Sequence, residues 1–152
     1  MYVVVDIDGT LTKVGDRSKC LDQSPKDWDS FYARCNEDEP NWPIVHLVHA
    51  LQREGYGILF CSGRRQSCLF DTMEWLTKRG LINGYSPQAV VLRHYNDSRP
   101  DVEVKPELLD EWISKNHMSR TEISFILEDR SSMVKKWREL GYPCLQVAEG
   151  AY

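Results

Sequence analysis

The sequence has no apolar run approaching 18 residues, the length at which a segment reads as a membrane span. It has no CxxC spacing, and its five cysteines, Cys20, Cys35, Cys61, Cys68 and Cys144, are odd in number. Its first residues, MYVVVDID, run straight into an apolar strand rather than a signal peptide. Together these features predict a reduced, cytoplasmic chain and not a disulfide scaffold. Excess positive charge is also missing. The net charge is −4 and the pI about 5.6. Tight duplex binding is therefore not advertised, and any nucleic acid must be gripped locally, with salt-dependent affinity. No internal repeat, low-complexity tract or interdomain linker stands out.

What is present fits one folded domain over 1–152. The chain is 41% apolar and 28% charged, and five Trp, seven Tyr and four Phe give it much to bury. Apolar, β-branched runs at Tyr2–Ile7, Gly57–Cys61, Ala89–Leu92, Ile123–Leu127 and Pro143–Val147 have the length of buried strands. Between them lie stripes with helical spacing. They are Ile44/Leu47/Val48/Leu51, Leu69/Met73/Leu76, Leu108/Leu109/Trp112/Ile113 and Met133/Val134/Trp137/Leu140. This alternation predicts βαβ units, a parallel sheet and helices on both faces. Ligands then belong outside the carboxyl ends of the strands. One stretch is too long for a minimal unit: roughly 35 residues separate the first strand from a helix expected near Pro43. It carries Trp28, Phe31, Tyr32 and Trp42, with a short helix expected near Asp27–Cys35, and 13–42 reads as a small flap.

The polar residues at the strand ends form a set. Asp6-Ile7-Asp8-Gly9-Thr10 places two carboxylates at positions i and i+2, on one side of an extended strand. The second strand ends in Cys61-Ser62-Gly63-Arg64, where a small hydroxyl and a glycine suit a closely approaching phosphate. Lys105, expected to begin a helix with Pro106 in its first turn, offers a fixed positive charge. The fourth strand ends in Glu128-Asp129-Arg130, and hard oxygen ligands of this kind suit Mg²⁺.

These four pieces, in this order, resemble the haloacid dehalogenase (HAD) superfamily in its phosphatase branch. The resemblance implies an α/β, Rossmann-like three-layer sandwich with a five-stranded parallel sheet and a small flap or cap after the first strand. A narrower resemblance is to the 3′-phosphatase domains of the bacteriophage polynucleotide kinase/phosphatase family. It rests on Asp6–Leu11 with Lys13 and Arg17, then Ser62-Gly63-Arg64. It continues through Arg93, Asp97, Arg99, Asp101, Lys105, Asp129-Arg130, Val134, Trp137-Arg138, Gly141 and Cys144, to Gln146–Gly150 and a terminal aromatic. Three departures are visible. There is no GxxxxGK[ST] loop, so no 5′-kinase activity is expected; Ser18–Trp42 looks longer and different; and Glu128 stands where an aspartate is usual.

The resemblance implies roles. Asp6 would be the nucleophile and Asp8 the acid/base. Thr10, Ser62, Gly63 and Lys105 would bind or frame the phosphate, and Arg17 and Arg64 would contact substrate. Mg²⁺ would be held by Asp6, the Asp8 main-chain carbonyl, Asp129 and Glu128. The Asp8 side chain must then point away from the metal. Arg99 and Arg130 read as ion-pair partners of nearby acids, and His46 and His49 lack a third ligand for zinc. The expected substrate is a nucleic-acid 3′-end, and a kinase or ligase partner stays open. Small-molecule hydrolysis of nucleoside monophosphates and an inactive phosphate-binding scaffold are the rival readings.

Overall fold

The computed structural model describes residues 1–150; the terminal aromatic, Tyr152, lies outside the described residues. Five parallel strands form one sheet in the order β5-β4-β1-β6-β7. They are β1 (Tyr2–Val5), β4 (Gly57–Arg65), β5 (Val90–Arg93), β6 (Ile123–Glu128) and β7 (Cys144–Gln146). The period of 2 along β1 splits its valines between two cores. Val3 and Val5 pack with Val45 and Val48 of α2 (Trp42–Arg53) and with Met73 and Leu76 of α3 (Leu69–Lys78). Val4 packs on the other face with Val104 and Leu108 of α4 (Asp101–Lys115) and Val134 and Trp137 of α5 (Ser131–Glu139). The result is the expected three-layer α/β sandwich, with β1 in the centre and its end in the middle of the carboxyl edge. No helix among the described residues is long and apolar enough to cross a membrane.

Over the stretch expected as a flap, 13–42, a two-stranded antiparallel ribbon ties the ends together. It pairs β2 (Thr12–Lys13) with β3 (Glu39–Pro40). Between them run a 3₁₀ segment, Gly15–Leu21, and the short helix α1 (Trp28–Ala33), capped by the Asp27 side chain, which accepts from the Ser30 amide. Val14, Leu21 and Phe31 form a small core of their own.

Three local expectations need correction. β1 ends at Val5, two residues early, because the chain folds back at once: the Leu11 and Thr12 amides both bond the Ile7 carbonyl. Gly9 permits this with φ of 89°, a region costly to residues bearing a Cβ. β4 runs on to Arg65, because its pairing with β5 resumes at Arg65–Arg93 after a bulge beyond Ser62. Lys105 does not begin its helix. α4 starts a turn earlier at Asp101, where Pro100 supplies the preceding φ of −58° and Asp101 and Glu103 complement the helix dipole. Pro106 therefore lies inside the helix and leaves the Val102 carbonyl without its usual donor.

Candidate active site

Asp6 follows β1 directly and is 4% exposed. Its amide bonds the Leu127 carbonyl, which fixes it to the end of β6. The Lys105 ammonium donates to Asp6 Oδ1 at 2.6 Å and to Glu128 Oε2 at 2.9 Å. Glu128 Oε1 accepts from the amides of Asp129 and Arg130 at 3.2 and 3.3 Å. Thr10 Oγ1 donates to Asp129 Oδ1 at 3.2 Å, so the turn after β1 is tied to the end of β6. Asn41 holds that turn from behind through the Thr10 carbonyl at 2.8 Å. Asp6, Glu128 and Asp129 each present an oxygen within 4.8 Å of the others, and all three are buried.

Asp8 sits only two residues on but in different company. Arg64 Nε donates to both of its carboxylate oxygens at 3.1 and 3.0 Å, and Arg64 Nη2 to Oδ1 at 2.6 Å. Arg17 Nη2 adds a contact to Oδ1 at 2.5 Å. Both arginines also reach Asp38, which takes Arg17 Nε at 2.7 Å. The Thr12 hydroxyl and the Trp75 indole fix Asp38 through its side chain and carbonyl. Arg64 is 1% exposed and Arg17 6%, so neither guanidinium faces open solvent. Asp6, Asp8 and Lys105 line one cavity of about 80 Å³ together with Lys26, Trp28 and Arg130.

The family model described as the polynucleotide kinase PNKP phosphatase domain matches residues 1–152. The chain belongs to this family, and with it to the HAD superfamily of phosphatases. Among solved structures, a chain of the Pnkp1/Rnl/Hen1 complex is 27% identical at a TM-score of 0.79; 99% of this chain aligns with 47% of that one. A class C acid phosphatase from Bacillus anthracis shares the fold at a TM-score of 0.68 and 16% identity, over 99% of this chain and 67% of that one. Phosphatidate phosphatase LPIN2 of Mus musculus is 30% identical over 83 residues, 53% of this chain. The chain spans 8% of the length of that curated relative.

Charge distribution in this HAD phosphatase domain follows from the geometry. Burial and then the neighbouring Glu128 carboxylate push Asp6 well above the ordinary aspartate range, against the pull of Lys105. Asp129 is raised to about 6 by burial and then by Glu128. Lys105 is also raised: burial alone would lower it, but Asp6 and Glu128 outweigh that. Three carboxylates facing one ammonium leave the cluster short of positive charge. Hard oxygen donors in excess negative charge fit a divalent cation such as Mg²⁺. At Asp8 burial also pushes the carboxyl up, but Arg64 and then Arg17 bring it down to about 2.

The structure thus brings Asp6, Lys105, Glu128 and Asp129 into one cluster, with Thr10 bonded to it. The Asp8 carboxylate is outside that cluster and is bonded to Arg64 and Arg17 instead. Ser62 is 1% exposed and its Oγ accepts from the Arg64 amide. Gly63 makes room for a neighbour: a Cβ there would lie 2.4 Å from Asp101 Oδ1. Asp101 takes contacts from Arg93 and Arg130, and Arg99 pairs with Asp97 and Glu107. The sequence reading missed Asp38 and Asp101 as anchors. Asp38 hides in an acidic run, Glu37-Asp38-Glu39, that looks like solvated surface, and nothing periodic links it to Arg17.

Proposed function

We propose that this domain is a Mg²⁺-dependent phosphatase that removes 3′-phosphates from nucleic-acid ends through an aspartyl-phosphate on Asp6. The observation that carries the reading is the small cavity into which Asp6 and Asp8 both open, ringed by the cations Lys105, Lys26 and Arg130. A phosphate monoester is very stable, so this site must supply a large reduction in barrier. An Asp6 oxygen attacks phosphorus; the new oxygen–phosphorus bond forms as the bond to the ester oxygen breaks. Asp8 gives its proton to the leaving 3′-oxygen, then takes one from the water that attacks the phospho-Asp6. That attack regenerates the carboxylate and releases phosphate. When bound by Asp6, Glu128, Asp129 and the Asp8 carbonyl, the metal would neutralise repulsion between Asp6 and the phosphoryl oxygens. Lys105 holds Asp6 and faces the charge that shifts during transfer, and Thr10, Ser62 and Gly63 would help to bind the phosphoryl oxygens.

Arg17 and Arg64 act through Asp8 in this reading. Without substrate they keep Asp8 ionised, the form required of the base in the second step. The acid form needed in the first step is favoured when a phosphate dianion enters the cavity that Asp8 lines, because it repels the ionised carboxylate. The stretch 13–42 acts as a flap on a single domain. Likeness to a chain of the Pnkp1/Rnl/Hen1 RNA repair complex supports a setting in nucleic-acid repair, where a kinase or ligase partner has a place. The test is a substrate panel: a 3′-phosphorylated oligonucleotide, its 5′-phosphorylated isomer and free nucleotides, each with and without Mg²⁺. Faster phosphate release from the 3′-phosphorylated oligomer is expected. Preference for free nucleotides would turn the reading to a small-molecule phosphatase. Inertness toward every ester, matched by Asp6→Asn, would turn it to a scaffold.

A further inference from the structure

The cavity at Asp6 and Asp8 does not end there. It shares Lys26, Trp28 and Arg130 with a neighbouring groove of about 420 Å³. The groove's lining carries five Lys and Arg against two Asp, on a chain whose net charge is −4. Arg93 and Arg130 pair with Asp101, Arg99 with Asp97 and Glu107, and Arg65 with the exposed Asp29, a surface pair that a phosphodiester can displace. Its flap-side wall is aromatic. Trp28 and Tyr32 stack with ring centroids 5.9 Å apart and planes 22° from parallel. The edge of Phe31 braces Trp28 at 86°. Trp28 nevertheless keeps 38% of its surface exposed. The Lys26 ammonium lies 5.8 Å from the centre of the Trp28 ring, and the Arg65 guanidinium 5.8 Å from that of Tyr32. The ledge is held to the body of the domain, since the Tyr32 hydroxyl donates to the Gly63 carbonyl at 3.1 Å.

An exposed, braced aromatic pair beside cations is the chemistry that holds single-stranded nucleic acid: bases stack on rings of any sequence while basic groups track the backbone. We infer that the Trp28–Tyr32 ledge is a stacking platform for the terminal base of a single-stranded 3′-end, with Arg65 receiving the next phosphodiester. The inference rests on the 3′-phosphatase reading and adds what that reading lacks, a reason to prefer a polymer over a mononucleotide. Trp28 lines both cavities, so a base resting on it has its own 3′-phosphate beside Asp6. A nucleoside 3′-phosphate uses the ledge and the cations of the inner cavity. A dinucleotide also reaches Arg65.

The test compares kcat/KM on four substrates with Mg²⁺ present: glycerol 2-phosphate, a nucleoside 3′-monophosphate, a 3′-phosphorylated dinucleotide and a 3′-phosphorylated hexamer. The wild-type chain should gain at the step from glycerol 2-phosphate to mononucleotide, where the ledge is first used, and again at the step from mononucleotide to dinucleotide, with little further gain on the hexamer. Trp28→Ala should lose about 5- to 150-fold more on the base-bearing substrates than on glycerol 2-phosphate, mostly in KM, the range for one stacked base. Trp28→Phe should recover most of it. Arg65→Ala should shrink the mononucleotide-to-dinucleotide gain. It should also flatten the dependence of log kcat/KM on log salt by about 0.7 for a single strand. Equal wild-type rates on mononucleotide and dinucleotide would overturn the inference. So would equal losses for Trp28→Ala on glycerol 2-phosphate and on the hexamer, with no recovery in Trp28→Phe, the mark of a purely structural tryptophan. Cleavage of glycerol 2-phosphate with no 3′-phosphorylated substrate touched is a different failure, and it removes the 3′-phosphatase reading itself.

Discussion

Two buried charge clusters, around carboxylates only two residues apart, are built to opposite plans. Around Asp6 sit Glu128, Asp129 and one cation, Lys105, a net charge of −2 when all are ionised. Around Asp8 sit Asp38, Arg17 and Arg64, and the charges balance. The second cluster is complete as it stands, and bidentate arginine contacts satisfy its carboxylates. The first is incomplete and is stabilised by anything that brings positive charge. The difference teaches that two carboxylates two residues apart are held in opposite charge environments, which suits the nucleophile and acid/base roles proposed for them.

The largest expected effect breaks the first cluster chemically. Asp6→Asn should reduce phosphatase activity by at least about 10⁴-fold, about 5.5 kcal/mol at 1.36 kcal/mol per tenfold. Unfolding followed by circular dichroism should show the fold no less stable without metal, because the change removes one of three mutually repelling carboxylates. The contrasting variant in the balanced cluster is Arg64→Ala. It leaves the part-buried Asp8 beside one arginine and removes the donor to Thr72. Denaturant unfolding at neutral pH should show a loss of about 3–5 kcal/mol, as for other broken buried pairs. An Arg64→Ala protein as stable as wild type would mean the two clusters do not differ as described.

Much of the first cluster was legible in the sequence, and little of the second. Asp6, Lys105, Glu128 and Asp129 stand at the ends of apolar strands or near a helix start, and an α/β sheet gathers such positions at one edge. The same logic made the sheet itself readable, since Val3, Val4 and Val5 can serve two cores only from a central parallel strand. The Asp8 cluster depends on how the excursion 13–42 closes. Asp38 meets Arg17 because Thr12 and Lys13 pair with Pro40 and Glu39, and two-residue strands leave no periodic signal. The early start of α4 was hidden for a similar reason. Asp101 is anchored by Arg93 and Arg130, contacts between distant parts of the chain that no local pattern announces.

Metal should sharpen the comparison next. Mg²⁺ at about a thousand times its Kd should stabilise the wild-type fold by about 4 kcal/mol in a melting experiment, the linkage expected of a ligand that binds only the folded state. Asp129→Asn should lose most of that response. Asp38→Asn, in the balanced cluster, should keep it even if its baseline stability is lower. A response lost equally in both variants would mean that the metal does not sit at Asp6, Glu128 and Asp129.

The smallest effect, about 2–3 kcal/mol for each group, has opposite signs in the two clusters. Asp129 titrates at about 6 in the folded chain and near 4 when unfolded. The folded state therefore holds its proton more tightly, and with a chelator present this group's contribution should fall as pH rises from about 4 to about 6. Asp8 runs the other way. Its folded value of about 2 lies below the unfolded one, so its contribution is full above about pH 4 and is lost as pH falls toward 2. Two unit shifts at 1.36 kcal/mol each set the size in both cases. Urea unfolding from pH 2 to 7 in chelator should separate them: Asp129→Asn reduces the limb above pH 4, which the raised Asp6 carboxyl shares, and Asp8→Asn flattens the limb below it. Adding Mg²⁺ should abolish the upper limb alone, since a bound cation holds Asp129 ionised, and leave the lower limb to the arginines.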